Sequence, residues 1–360
     1  MGLTTRQCTD ADRPAYGELT RRDRRSLLFA STEWLHFLES YLGCKSHHLV
    51  AYDGPRLIGS LPLVVRECPT GAVANSLPFY GSNGSCLVDP ACTNGRAVRQ
   101  ALFAALLGAA QEHGWQATTL ITSPWETDLD FYQQTAARYR DSRIGQLTPL
   151  YTDGAGDPLP FLMERFHYKT RNMVRKSLRE GFTVTSDWTE EALEFLVTTH
   201  QANMAVIGGL AKDRKCFEQL GKLLPASQRR LYVAHLGKQP VAALLLLYFN
   251  KTVEYYTPVI RQEYRSLQPL SYLIITAMCQ AAREGYEWWN WGGTWDSQDG
   301  VYRFKSRWGS VDRPYYYYTY AHQDMSALLD LGKEGLLRQY RHFFVLPFTA
   351  LGSNRQLPAA

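Results

Sequence analysis

The sequence contains no hydrophobic run that could span a membrane and no apolar stretch typical of an export signal. Its most apolar segment, Val241–Phe249, ends after nine residues, whereas a transmembrane helix needs about 20. Behind Met1 the chain runs directly into polar residues, without the apolar core of a signal peptide. These absences predict a cytoplasmic protein without a transmembrane segment.

Motifs for disulfides, metals and nucleotide loops are also absent. The seven cysteines are odd in number and scattered, no CxxC occurs, and the nine histidines form no HExxH. We therefore expect neither a disulfide framework nor a structural zinc site, and no metal or redox cofactor. The sequence also lacks GxSxG, GxxxxGK[ST] and GxGxxG, which excludes the usual hydrolase elbow, P-loop and dinucleotide fingerprints.

What the sequence does contain is a repeat. Val50–Gly54 followed by Leu57–Leu63 matches Val233–Gly237 followed by Pro240–Leu246, at a constant offset of 183 residues. Each copy is typical of a β-hairpin, because apolar strand formers flank a glycine. A helical pattern precedes each hairpin, and a long helix that ends before a glycine follows it. The offset predicts two duplicated units.

The segment between the copies is rich in turn formers. Tyr151–Pro160 contains Gly, Asp and Pro, which is typical of a linker. We therefore predict two domains, residues 1–155 and 156–360. Each should be an α/β (α+β) unit in which a mixed, mostly antiparallel sheet is flanked by helices.

The net charge of +5 is small for 360 residues, but one predicted helix concentrates it. Over Leu162–Arg179, a rotation of about 100° per residue separates a basic arc from an apolar one. The basic arc contains Arg165, Lys169, Arg171, Arg175, Lys176 and Arg179. A face of this kind suits a polyanion such as a pyrophosphate, a nucleotide-linked substrate or an RNA backbone; a solvated helix face is the competing interpretation.

Two further segments carry candidate chemistry. Trp288–Ser310 predicts a strand, a Gly-Gly turn and a polar loop before a short element with Phe304, Lys305 and Arg307. A lysine fixed between aromatic residues can stabilise a developing oxyanion. On composition alone, however, an aromatic-rich β-hairpin with a surface lysine is the favoured interpretation. In another predicted strand, Glu254 stands near Tyr256. Aromatic surroundings would raise the pKa of the Glu254 carboxyl toward a value suited to a general base. The alternative interpretation is that Glu254 forms a salt bridge on the face of the strand.

Several of these segments together resemble one protein family. The stretches His167–Ser177, Val233–Leu247, Gly292–Thr294 and Val301–Gly309 are similar to the FemAB-type proteins and BioF2-like acetyltransferases of the GCN5-related N-acetyltransferase (GNAT) superfamily. The resemblance covers most of the chain. It implies two tandem GNAT-like domains, and it places Phe304 and Lys305 on the family's Phe-Lys motif, whose lysine lies in the active cleft.

The resemblance also implies an activity. The best understood relatives transfer an amino acid from aminoacyl-tRNA to an amine of a peptidoglycan precursor, and others use acyl-CoA or another activated donor. This chain lacks the charged heptads of a coiled-coil arm, so tRNA handling by an arm is not expected. The segment Arg261–Pro269 lacks the glycines of a pyrophosphate loop, which disfavours acyl-CoA because backbone amides then cannot reach a pyrophosphate.

We therefore predict amide formation by acyl transfer to an amine acceptor, a cell-wall precursor or a small metabolite, with aminoacyl-tRNA favoured as co-substrate over acyl-CoA. Lys305 and Phe304 would form the catalytic motif, and Glu254 or the substrate itself would take the amine proton. The candidate binding residues are Lys169, Arg171, Arg175, Lys176, Tyr256 and Arg307. The alternatives are a CoA-dependent N-acyltransferase and a non-catalytic anion-binding module.

Overall fold

The computed structural model describes residues 2–150 and 156–352. In this part of the chain the strands are β1 (Leu3–Gln7), β2 (Lys45–Ser46), β3 (Leu49–Asp53), β4 (Arg56–Leu61), β5 (Val64–Cys68), β6 (Gly71–Ser76), β7 (Leu87–Val88), β8 (Ala117–Ile121), β9 (Tyr139–Pro149), β10 (Thr183–Thr185), β11 (Arg229–Leu236), β12 (Gln239–Phe249), β13 (Thr252–Ile260), β14 (Trp288–Thr294) and β15 (Val311–Ala321).

The α-helices of the same residues are α1 (Arg13–Arg22), α2 (Thr32–Leu42), α3 (Gly95–Glu112), α4 (Leu129–Gln133), α5 (Pro158–Arg165), α6 (Tyr168–Ser177), α7 (Glu190–Val206), α8 (Arg214–Leu223), α9 (Pro269–Arg283), α10 (Asp299–Ser306), α11 (Ser326–Asp330) and α12 (Gly332–Gln339). The predicted mixed α/β class is confirmed.

The chain forms two compact units. One comprises the described residues up to Arg143 together with those from Pro314 onward, and the other is Ile144–Arg313. The first unit contains the antiparallel sheet β1-β3-β4-β7 and the strand order β15-β8-β6-β5-β2, in which only β6 and β8 are parallel. The second contains the order β10-β11-β12-β13-β14-β9, in which only β13 and β14 are parallel.

This division differs from the predicted limits of 1–155 and 156–360. The C-terminal segment clusters with the first unit because β15 pairs with β8, and because Met325, Leu328 and Leu336 pack in one hydrophobic cluster with Val73 and Ala117. The predicted boundary between residues 155 and 156 adjoins 151–155, which lie outside the described residues.

The two hairpins of the predicted repeat have the same register. Val50 pairs with Ser60 and Tyr52 with Leu57, while Val233 pairs with Ala243 and His235 with Pro240. Each pair is related to its counterpart by the 183-residue offset, and the β-bulge between Ala51 and Tyr52 recurs between Ala234 and His235. Because bulges are specific local features of a strand pair, this coincidence supports a duplication.

The predicted basic helix over Leu162–Arg179 is wrong in one respect, because two helices replace it. Phe166 adopts an extended conformation between α5 and α6, and its buried ring contacts Trp308 with 5.1 Å between centroids. The imidazole of His167 then accepts a hydrogen bond from the backbone N–H of Lys169 and caps α6. A tertiary contact has thus overridden the local helical pattern.

Candidate active site

The candidate site lies in the second unit, where two parallel strands separate. Strands β13 and β14 pair only from Thr252–Glu254 to Trp288–Asn290. Beyond that point β13 continues beside β12, while β14 pairs with β9 through a bulge between Asn290 and Gly293. The last paired residues, Glu254 and Asn290, therefore lie at the fork between the strands.

Glu254 is buried at this fork. The side-chain amide of Asn290 donates a hydrogen bond of 2.8 Å to Oε2 of Glu254, and Oε1 has no hydrogen-bond partner among the described residues. Burial raises the pKa of the Glu254 carboxyl to about 8, although the Asn290 contact lowers it somewhat. The neighbour of the carboxyl is thus an amide rather than the cation of a strand-face salt bridge.

Asn290 also holds the bulge that follows it. Its Oδ1 accepts a hydrogen bond of 2.9 Å from the backbone N–H of Gly292. Gly292 has a φ of 72°, a conformation that costs little only for glycine. One buried amide therefore connects the Glu254 carboxyl to the backbone at the bulge.

Lys305 reaches the same bulge from α10. Its Nζ donates to the carbonyl oxygens of Gly292 and Gly293 at 3.1 and 3.0 Å and to Oγ1 of Thr294 at 2.8 Å. These contacts occupy the three donors of an ammonium, and burial lowers the pKa of Lys305 to about 8. In this arrangement Lys305 positions the end of β14.

A cleft of about 640 Å³ opens along β13 from Tyr256 onward, two residues beyond Glu254, which itself is not among the lining residues. It is lined by β13 beyond Glu254, the middle of α6, the end of α7 and the loop after it, the segment before α9, the first turns of α9, and Phe304 of α10. Among the predicted site residues, Tyr256 and Phe304 line this cleft directly. The Phe304 ring also contacts Trp291, with 5.8 Å between centroids.

The basic residues lie on α6, which contributes Met173 to the cleft. Lys169, Arg175 and Lys176 are exposed. Arg171 is half-buried, and its guanidinium donates to the carbonyl oxygen of Phe166 at 2.8 Å. Arg171 therefore fastens the start of α6, whereas the other three cations face solvent.

Arg307 is not brought to the cleft. It follows α10, and its carbonyl oxygen accepts a hydrogen bond from the backbone N–H of His167. Its side chain is half-buried and is not among the residues that line the cleft. A substrate-binding role for Arg307 therefore stays a prediction.

Sequence reasoning missed Asn290, Lys212 and Thr257. A polar residue inside the run Trp288–Trp291 was the available signal for Asn290, whereas nothing in the sequence distinguishes Lys212. The Lys212 ammonium lies 4.8 Å from the Tyr256 ring centroid, and burial lowers its pKa to about 8. The backbone N–H of Lys212 donates to Nε2 of His200, whose pKa burial lowers to about 4.

No helix in the described part of the chain is both long and apolar enough to cross a membrane.

Residues 165–306 match the family model described as an acetyltransferase (GNAT) domain, which spans the fork, the cleft and Lys305. A comparison with curated proteins finds no match.

Three solved structures have a similar fold. A FemX crystal structure is 14% identical, with 87% of this chain and 96% of that chain covered and a TM-score of 0.70. A tandem GNAT protein from the clavulanic acid biosynthesis pathway is 12% identical, with coverage of 90% and 99% and a TM-score of 0.55. The C-terminal domain of a putative lysylphosphatidylglycerol synthetase from Agrobacterium fabrum is also 12% identical, with coverage of 91% and 96% and a TM-score of 0.55.

At these identities the solved structures establish the fold, and the family match assigns residues 165–306 to an acetyltransferase (GNAT) domain. The repeated hairpins account for the tandem arrangement. The chain thus contains a segment, residues 165–306, that matches an acetyltransferase (GNAT) domain, and it shares the fold of the FemX and tandem GNAT structures.

Proposed function

We propose that this acyltransferase moves an aminoacyl group from aminoacyl-tRNA to an amine of a cell-wall precursor. The acceptor nitrogen attacks the carbonyl carbon of the aminoacyl ester, an amide bond forms, the ester bond breaks, and the tRNA hydroxyl leaves. The only co-substrate is the aminoacyl-tRNA, with no metal or redox cofactor. The proposal puts the reaction in the cytoplasm, where aminoacyl-tRNA occurs.

The observation that carries this proposal is the exposed cationic face of α6, a helix that also lines the cleft through Met173. Lys169, Arg175 and Lys176 project from the helix that also contributes Met173 to the cleft wall. Exposed lysine and arginine side chains supply the electrostatic part of binding to a phosphate backbone. A donor with a long polyanionic body could therefore contact this face while its acyl end enters the cleft.

The segment before α9 supports the same donor. Residues Gln262–Leu267 form a 3-10 helix, in which the backbone N–H groups of Tyr264 and Gln268 donate to carbonyls of the same segment. Helix α9 then starts with Pro269, which has no N–H. Three positions of this segment, Tyr264, Gln268 and Pro269, therefore offer no free N–H to a pyrophosphate, the group that GNAT enzymes using acyl-CoA would have to hold.

In the proposed mechanism Glu254 takes the proton that the acceptor amine loses. A base with a pKa of about 8 is mostly protonated at neutral pH, so the ionised fraction that can accept a proton increases with pH. Asn290 keeps the carboxyl oriented through its bond to Oε2. Lys305 fixes the backbone on the other side of the fork, where it holds Gly292 and Gly293 in place.

A second candidate is acyl-CoA-dependent N-acylation of a small metabolite. The family description, an acetyltransferase domain, favours it. To decide between the two, we would supply labelled aminoacyl-tRNA pools and, separately, acyl-CoA pools together with amine acceptors. Consumption of aminoacyl-tRNA with amide formation supports the proposal, consumption of acyl-CoA alone supports the second candidate, and consumption of neither contradicts both.

The basic face of α6 gives a separate prediction. Arg175→Glu combined with Lys176→Glu should weaken aminoacyl-tRNA binding by at least about tenfold at low salt, and by less at high salt, because salt screens exposed charges. Binding is measured by filter retention over a range of ionic strengths. The matched control is Lys215→Glu with Lys222→Glu on α8, where both lysines are also exposed; equal losses in both variants would contradict a specific role of α6.

A further inference from the structure

The wall of the cleft consists largely of apolar side chains from separate elements. They include Met173 of α6, Met204 of α7, Ile260 of β13, Leu270 and Ile274 of α9, and Phe304 of α10. A volume of about 640 Å³ lies within the range of pockets that bind small molecules. This wall can therefore take up a sizeable apolar group from water.

The charged residues of the cleft are of one sign. Lys212 and Arg265 line it, whereas the lining residues in the described part of the chain include no Asp or Glu. Burial already disfavours the charged form of the Lys212 ammonium. A further cation in this cleft would find no carboxylate in the described lining and would be repelled by Lys212 and Arg265, so a lysyl or arginyl side chain does not fit.

One buried hydroxyl lies on the β13 side of the cleft. Thr257 lines it, is 1% exposed, and its Oγ1 has no hydrogen-bond partner among the described residues. A hydroxyl of this kind can bind a single polar atom, such as the carbonyl oxygen of an ester or thioester. The cleft thus combines one unused polar contact with a large apolar wall.

We propose that the transferred group carries a bulky, uncharged apolar chain, such as a leucyl or methionyl side chain or a medium-length acyl chain. This inference rests on the proposed acyl transfer and adds the substrate class. Each methylene that is buried improves binding by about fourfold, so the apolar wall favours leucyl over alanyl. The absence of a carboxylate in the described lining disfavours lysyl.

The test compares donors that differ only in the transferred group. One tRNA is charged with leucine, alanine or lysine, and a second arm uses octanoyl-CoA and acetyl-CoA. We expect kcat/KM for the larger apolar group to exceed that for the smaller one by at least about tenfold in the active arm, with lysyl lowest. Transfer without this preference overturns the inference but not the proposed function.

The two proposals fail in different ways. A preference for octanoyl-CoA, with no transfer from any tRNA, contradicts the proposed donor but supports the apolar cleft. No transfer in either arm contradicts both. Transfer from lysyl-tRNA equal to that from leucyl-tRNA overturns the inference alone.

Variants of the wall make the test specific. Met173→Trp should fill part of the cleft and lower the leucyl-to-alanyl ratio of kcat/KM at least about tenfold, whereas a folding defect would lower both values together. Asn172→Trp, on the exposed side of the same helix, is the matched control.

Ser271→Asp places a carboxylate in the lining at the start of α9, where helices tolerate acids. This variant should raise the lysyl-to-leucyl ratio of kcat/KM. If Met173→Trp leaves the leucyl-to-alanyl ratio unchanged and Ser271→Asp leaves the lysyl-to-leucyl ratio unchanged, the inference is overturned.

Discussion

Lys305→Met should destabilise the second unit by about 2–4 kcal/mol and lower kcat/KM by at least about 10²-fold. The ammonium is buried and donates to the carbonyls of Gly292 and Gly293 and to Thr294. Methionine keeps most of the side chain's bulk but leaves these acceptors unpaired, so the bulge should shift. Chemical denaturation and steady-state kinetics on a confirmed substrate pair measure the two effects.

The two possible roles of Lys305 differ in one respect. If Lys305 acts as a positioning residue, stability and activity fall together, and the pH profile shifts because Asn290 is tied to the same bulge. If the ammonium instead binds a developing oxyanion, kcat falls while the free energy of unfolding stays within about 0.5 kcal/mol of the wild-type value. Arg303→Met, an exposed cation on α10, is the matched control.

The fold could be predicted from the sequence because the two duplicated segments are still similar enough to be recognised. Matching apolar residues around Gly54 and Gly237 were enough to predict two hairpins, and the structure confirms both with identical register. The C-terminal boundary was not accessible in this way. The pairing of β15 with β8 joins residues about 200 positions apart, and no local pattern encodes such a contact.

Only part of the candidate site could be predicted from the sequence, because no local pattern encodes contacts between distant residues. Aromatic neighbours in a predicted strand were sufficient to select Glu254, and in the structure burial is what raises its pKa. The function of Asn290 depends on two contacts across the fork, to Glu254 and to Gly292. The contacts of Lys305 are mainly to backbone carbonyls, which carry no signature in the amino-acid sequence.

Glu254→Gln should lower kcat/KM by about 10²–10⁴-fold and abolish the increase of activity with pH. In the wild type this increase should be centred near pH 8, because burial raises the pKa of Glu254 to about 8. Glutamine can still accept the hydrogen bond from Asn290, but it cannot accept a proton. If the substrate itself loses the proton without Glu254, the variant retains the same pH dependence; kcat/KM from pH 6 to 9.5 distinguishes the cases.

The same substitution should stabilise the protein at neutral and higher pH. Since the folded-state pKa of Glu254 lies above its ordinary value, its favourable contribution is complete below about pH 4.5 and is lost as the pH rises through about 8. Glutamine resembles the protonated carboxyl and does not undergo this loss, so Glu254→Gln should be more stable by roughly 3 kcal/mol at pH 7. The difference should vanish near pH 4 and level off above pH 8. Thermal unfolding at these pH values measures the stability difference, with the exposed Glu263→Gln as control. If the difference did not depend on pH, the folded-state pKa of Glu254 would not be raised, and its carboxyl would be ionised at neutral pH.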